Sequence, residues 1–150
     1  MRLYLDTSAL VKLYVDEEGS PLVRSAVERA EIVSTSAITY VEARAALVRR
    51  RHERALKTGD YRRIIRDLDA DWDRYLVVEI TDSLIRGAAH LAEAHRLRAY
   101  DAVHLASATV LRGRLAEPVV FACWDLRLER AAKREGLVRL RSRNTSRQHT

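Results

Sequence analysis

Four acidic residues, Asp6, Glu42, Asp101 and Asp125, stand where a folded chain can bring carboxylates together. Asp6 ends the apolar run Leu3-Tyr4-Leu5, and Asp125 comes shortly after the run Val119 to Ala122. Glu42 lies in the first turns of a helical stretch that follows Ile32 to Thr35. Asp101 opens an alanine-rich helical stretch, Tyr100 to Arg112. Converging carboxylates repel one another unless a cation joins them. A cluster of oxygen donors without Cys or His is what Mg²⁺ or Mn²⁺ prefers. Such an ion bridges phosphate oxygens, activates a water and stabilises the leaving oxygen. Cleavage of a phosphodiester backbone is therefore the chemistry within reach of these residues.

Taken singly, each acid also has a structural role open to it. Asp6 and Asp125 can cap the helices that follow them. Asp101 suits a helix N-terminus through the dipole. Thr39-x-x-Glu42 has the pattern of a capping box. His104, three residues beyond Asp101, reads as a partly buried structural histidine near the same place.

The elements that must position these groups alternate. Short strands are expected at Leu3–Leu5, Ile32–Thr35, Leu76–Ile80 and Val119–Ala122, with a fifth, edge strand at Val138–Leu140. Between them helices are expected over Ser8–Asp16, from Ser20 (N-cap) and Pro21 to about Ala30, and from Ala37 to Leu56 with a core stripe of Val41, Ala45 and Val48. Further helices run from the Thr58-Gly59-Asp60 break to about Tyr75, from a Thr81 or Asp82 cap to His95, over Tyr100–Arg112, and from Leu126 to a C′ glycine at Gly136. Alternation without tight hairpins implies an α/β fold: a parallel sheet of four to five short strands with helices on both faces. Ligands of such sheets bind beyond the carboxyl ends of the strands, where these acids are placed.

With 150 residues the chain is one domain, 47% hydrophobic and able to bury a core unaided. Residues 1–140 are assigned to it and 141–150 to a basic, flexible tail. The single cysteine, Cys123, excludes an internal disulfide framework and points to a reducing compartment, the cytoplasm. No apolar run approaches the roughly 18 residues of a membrane span. The net charge is +6, which favours polyanionic partners. The excess is concentrated between Arg44 and Arg66, where nine Lys or Arg residues face only Glu53 and Asp60. In a helix Arg49 lies two turns beyond Glu42 on the same side, roughly 10 Å along the axis. It is placed to guide a phosphate backbone, whereas Arg50, Arg51 and Arg54 read as solvated. The aromatic residues show no interleaving with the arginines and read as packing residues.

The segments LYLDTSALVKLY, ITYVEARAAL, LRAYDAVHLASA and FACWDLRLERAAKREGL resemble, in order and spacing, the four acidic motifs of PIN-domain nucleases, in particular VapC-type toxins of toxin–antitoxin pairs. The resemblance spans nearly the whole chain. It implies a three-layer PIN-like domain and an endoribonuclease that needs Mg²⁺ or Mn²⁺. Asp6, Glu42, Asp101 and Asp125 would be its catalytic acids, with Asp6, Asp101 and Asp125 on the metal and Ser8 supporting Asp6. It further implies a homodimer inhibited by a cognate antitoxin, with Leu13, Tyr14, Val15 and Leu22 as candidates for the apolar surface both would use. Cys123 departs from the pattern, because relatives carry Thr or Ser there, and this makes Asp125 the least secure ligand. Two other readings compete. A Mg-dependent phosphatase with an aspartyl nucleophile would need a second acid two residues after Asp6, where Ser8 stands. A basic nucleic-acid-binding module explains the arginines but not the acids at strand ends.

Overall fold

The computed structural model describes residues 1–141, so the expected tail at 141–150 lies, beyond its first residue, outside the described residues. Five strands form one parallel sheet: β1 (Arg2–Leu5), β2 (Ile32–Ser36), β3 (Leu76–Val78), β4 (Val119–Ala122) and β5 (Val138–Arg139). Their order is β3-β2-β1-β4-β5, so β1 is central, with Arg2 opposite Ile32 on one side and Val119 on the other. Seven helices cover the sheet: α1 (Thr7–Val11), α2 (Ser20–Arg29), α3 (Ile38–His52), α4 (Thr58–Trp72), α5 (Asp82–His95), α6 (Ala99–Leu115) and α7 (Leu126–Arg134).

Side chains alternate across a strand, and β1 divides its residues accordingly. Leu3 and Leu5 enter a core with Ala9 and Leu10 of α1, Val23 of α2, Ala43 and Leu47 of α3 and Leu68 of α4. Tyr4 enters the opposite core with Phe121, Leu84 of α5, Leu105 and Leu111 of α6 and Leu128 of α7. The three-layer α/β fold with helices on both faces is thus the one expected.

Three local expectations change. First, α3 buries Thr39, Ala43 and Leu47, while Val41 is 62% exposed and Val48 36%. The reason is polar. Thr35 Oγ1 donates to Leu5 O (2.7 Å) and shares a hydrogen bond with Thr39 Oγ1 (2.7 Å), which turns Thr39 inward and carries Val41 outward. Second, the N-cap of α2 is Gly19, at φ +89°, and Ser20 is its first residue. Ser20 Oγ donates to Val15 O and accepts from Glu17 N, tying down the turn before the helix instead. Third, α1 ends at Val11, and Leu13, Tyr14 and Val15 pack against the core as half-buried residues. Tyr14 Oη donates to Asp71 Oδ2 at 2.9 Å.

Candidate metal centre

β1 delivers Asp6 to the carboxyl edge of the sheet, where its backbone N–H extends the ladder to Ala122 O. Asp6 is also the N-cap of α1: Oδ1 accepts from Ala9 N (2.9 Å) and from Ser8 Oγ (2.7 Å). Ser8 therefore touches Asp6 directly. Both bonds go to one oxygen. Asp6 is only 5% exposed, and burial raises its carboxyl above the ordinary range. His104 and the bonds from Ala9 and Ser8 oppose the rise, while the negative charge of Asp101 adds to it. A buried acid facing a second acid is an arrangement that a cation relieves.

Asp125 follows β4 and caps α7, its Oδ1 accepting from Leu128 N at 2.8 Å. Cys123 Sγ lies 3.7 Å from Asp125 O, so the thiol meets the backbone of Asp125 rather than its carboxylate. Burial pushes the Cys123 thiol well above its usual range, with the charge of Asp6 next in weight. Asp101 lies in the first turn of α6, whose N-cap is Arg98. Its one side-chain partner among the described residues is Arg98, Nε to Oδ2 at 3.3 Å. The same guanidinium reaches Asp125 Oδ2 at 3.7 Å.

The capping-box reading of Glu42 does not hold, because Thr39 is buried inside α3 and the helix begins after Ala37. Glu42 Oε1 accepts instead from Thr7 Oγ1 (2.7 Å) and meets His104 Nε2 at 2.9 Å. His104 is 2% exposed, with Nδ1 2.8 Å from the buried Tyr4 hydroxyl. Burial raises the Glu42 carboxyl, but the hydrogen bonds from His104 and Thr7 outweigh it, and the net shift is downward. Thr7, His104 and Arg98 thus join the expected acids. His104 and Arg98 sit one helical turn on either side of Asp101, a spacing the sequence displays.

The arginines of α3 divide differently from expectation. Arg49 is exposed. Arg50 is ion-paired to Glu17 at 2.9 Å, and the Arg51 guanidinium lies 4.4 Å over the Tyr61 ring. Neither Arg50 nor Arg51 is simply solvated.

The model of the PIN-domain family matches residues 3–134. The chain belongs to the PIN-domain family. Two curated relatives, ribonucleases VapC45 and VapC49 of Mycobacterium tuberculosis strains, are each 37% identical over 135 residues, 89% of this chain and 91% of theirs. The crystal structure of VapBC2 from Rickettsia felis, bound to a DNA fragment from its promoter, superposes with a TM-score of 0.62 at 12% identity. The match covers 93% of this chain and 97% of that chain. That likeness establishes the fold.

The donor chemistry of this PIN domain fits a hard divalent cation: an all-oxygen set, a buried acid raised partly by a neighbouring acid, and a guanidinium already drawn between two of the carboxylates. As the side chains stand, no three His, Cys, Asp or Glu among the described residues are close enough to hold an ion together. An ion would compete with Arg98 for Asp101 and Asp125. Arg98→Ala is therefore expected to lower, several-fold, the Mn²⁺ concentration at which the melting temperature rises. An unchanged midpoint would show that Arg98 does not compete.

Proposed function

We propose that the protein is a divalent-metal-dependent endoribonuclease, the toxin of a toxin–antitoxin pair. The observation that carries the reading is the buried Asp6 carboxylate at the centre of a PIN domain, made unfavourable by burial and by the charge of Asp101. Asp6, Asp101 and Asp125 are assigned as the residues that hold the ion, Mg²⁺ or Mn²⁺, and Glu42 as the fourth catalytic acid. Held by Asp6, Asp101 and Asp125, such an ion would supply Lewis-acid activation of a water and neutralise the charge that develops on the phosphate. Ser8 and Ala9 N hold Asp6 in one orientation, leaving its second oxygen for the ion. Thr7 and His104 fix Glu42 and favour its ionised form, which keeps a negative charge oriented beside the site. Arg49 is assigned to the incoming phosphate backbone. Arg49→Ala should then flatten the salt dependence of RNA binding by about one phosphate contact.

The relatives named ribonucleases support RNA as substrate, and the fold shared with a toxin-antitoxin complex from Klebsiella pneumoniae agrees with an antitoxin partner. No helix among the described residues is long and apolar enough to cross a membrane. The one free thiol agrees with the cytoplasm. For a homodimer, the outward stripe Val41, Ala45 and Val48 of α3 is a better candidate than Leu13, Tyr14 and Val15, which pack on their own core. A monomer by light scattering at micromolar concentration would overturn the dimer. The function itself is tested by incubating the purified protein with total RNA in Mg²⁺, Mn²⁺ or EDTA and mapping the cut ends. Metal-dependent internal cuts are expected. Absence of cleavage with either metal, alongside RNA binding that EDTA leaves untouched, would favour a binding module.

A further inference from the structure

We infer that the cleft between α1 and α3 is a second phosphate-binding site for RNA, built from Lys12 and Arg50 and occupied in the free protein by the carboxylate of Glu17. The inference rests on the ribonuclease reading above. The cleft has a volume of about 490 Å³, and Thr7, Ser8, Lys12, Glu17, the exposed Glu18 and Arg50 are on its walls. Lys12 is only 8% exposed. Its Nζ lies 3.1 Å from Glu17 Oε1 and 4.7 Å over the Trp124 ring. Arg50 Nη2 lies 2.9 Å from Glu17 Oε2. Arg50 Nη1 is buried and has no partner among the described residues.

Each oxygen of Glu17 thus takes one cation, and the arginine fork is left half used. A phosphodiester also offers two unsubstituted oxygens with delocalised charge. A planar guanidinium matches two of them at once, while a lysine serves as a point charge. A phosphate in place of Glu17 would set its two free oxygens against the fork of Nη2 and Nη1, with Nζ sharing one of them as a point charge. Glu17 belongs to the connection between α1 and α2, and its side chain is already 27% exposed, so it has water to turn into.

The location favours a substrate phosphate over an isolated ion. Two of the cleft's walls belong to the candidate centre: Thr7 bonds to Glu42 and Ser8 to Asp6. Trp124, under Lys12, is next in sequence to Asp125. A strand of RNA with one phosphate at the carboxylates runs past this cleft with a neighbouring one. Glu17 then acts as a built-in competitor that weakens RNA binding until it is displaced.

The alternative is that Lys12, Glu17 and Arg50 only strap the connection to α3. The two roles differ in what removing the charge of Glu17 does. The test is anisotropy of a fluorescein-labelled single-stranded RNA in EDTA, where cleavage is suppressed, from 50 to 200 mM salt, with melting curves for every variant. Glu17→Gln should bind RNA several-fold more tightly, with a salt slope steeper by about 0.7 for each cation released. Arg50→Ala should bind more weakly and lower the slope by about 0.7. Lys12→Met, which keeps the buried stem, should do the same. A lower melting temperature for Glu17→Gln with wild-type RNA affinity and slope makes the triad a strap and overturns the inference. Wild-type protein that cuts RNA in Mn²⁺ while Glu17→Gln and Arg50→Ala bind as wild type overturns it and leaves the ribonuclease reading standing. Wild-type protein that neither binds nor cuts RNA sinks both.

Discussion

Asp101→Asn is expected to remove RNA cleavage by roughly three orders of magnitude or more, since several kcal/mol of charge stabilisation go with the ion it helps to hold. Folding should survive. Asp101 caps no backbone N–H, and its side-chain partner is the exposed Arg98, so an amide of the same shape loses little. Asp6→Asn should have the same effect on cleavage for a sharper reason. The Asn Oδ1 can still accept from Ser8 Oγ and Ala9 N, so the cap persists. The negative charge goes, and with it the cost of burying it. Burial first, and then the charge of Asp101, raise the Asp6 carboxyl in the folded state. A raised folded value means that the native state holds this proton more tightly than the unfolded chain does. Stability from this source is full below the ordinary Asp range and is lost as pH rises through the folded value. Neutral pH is thus the unfavourable side for the metal-free protein, and Asp6→Asn should melt at or above wild type there. The measurement pairs metal-free melting curves between pH 4 and 8 with cleavage rates in Mn²⁺. Full activity in both variants would sink the metal-nuclease reading.

The second large effect is on stability. His104→Ala takes from the wholly buried Tyr4 hydroxyl its partner at 2.8 Å, leaving Ser107 and Ser36 beside it, and takes one donor from Glu42, which keeps Thr7. Removing one partner of a buried hydrogen bond costs about 1–3 kcal/mol, and two such bonds go with the imidazole. A loss of about 3 kcal/mol in a domain of this size lowers the melting temperature by about 6–12 °C. His104→Gln can place an amide N–H near the position of Nε2 but cannot also serve Tyr4. It should recover cleavage more fully than stability. Glu42 sets the pH signature of the same network. Its folded value is lowered, since the bonds from His104 and Thr7 outweigh burial. Its contribution is therefore present above the ordinary Glu range and lost as pH falls through the folded value. Glu42→Gln should flatten that acid limb. A His104→Ala protein that melts within a degree of wild type would remove the network from the account.

The architecture was legible because strands and helices alternate with different periods, and because apolar runs stop at Asp6 and near Asp125, where the sheet ends. The facing of α3 was not. Val41, Ala45 and Val48 make the more apolar stripe, and hydrophobic periodicity has no means of knowing that Thr35 will hold Thr39 to the sheet. The role of Ser20 is no more legible. Its type suits a cap, but Gly19 can take φ +89° and supplies the cap position itself. In the candidate centre, acids adjacent to strand ends could be found from order alone. Arg98 spanning Asp101 and Asp125, and Arg50 meeting Glu17 rather than water, depend on where segments from distant parts of the chain come to rest.

The central position of β1 sets a timetable. Of the five strands β1 leaves the ribosome before the rest and has both neighbours downstream, and the second of them, β4, begins at Val119. At synthesis rates of about 5–20 residues per second, that partner arrives on the order of ten seconds after β1. Until then Leu3, Tyr4 and Leu5 lack half of their sheet, and Asp6 has no Ala122 carbonyl to fix it. Pairings this distant in sequence also close slowly. The carboxylates are therefore assembled only after nearly all of the domain has been translated, and a chain interrupted before Phe121 holds three of the four acids with no sheet edge on which to gather them.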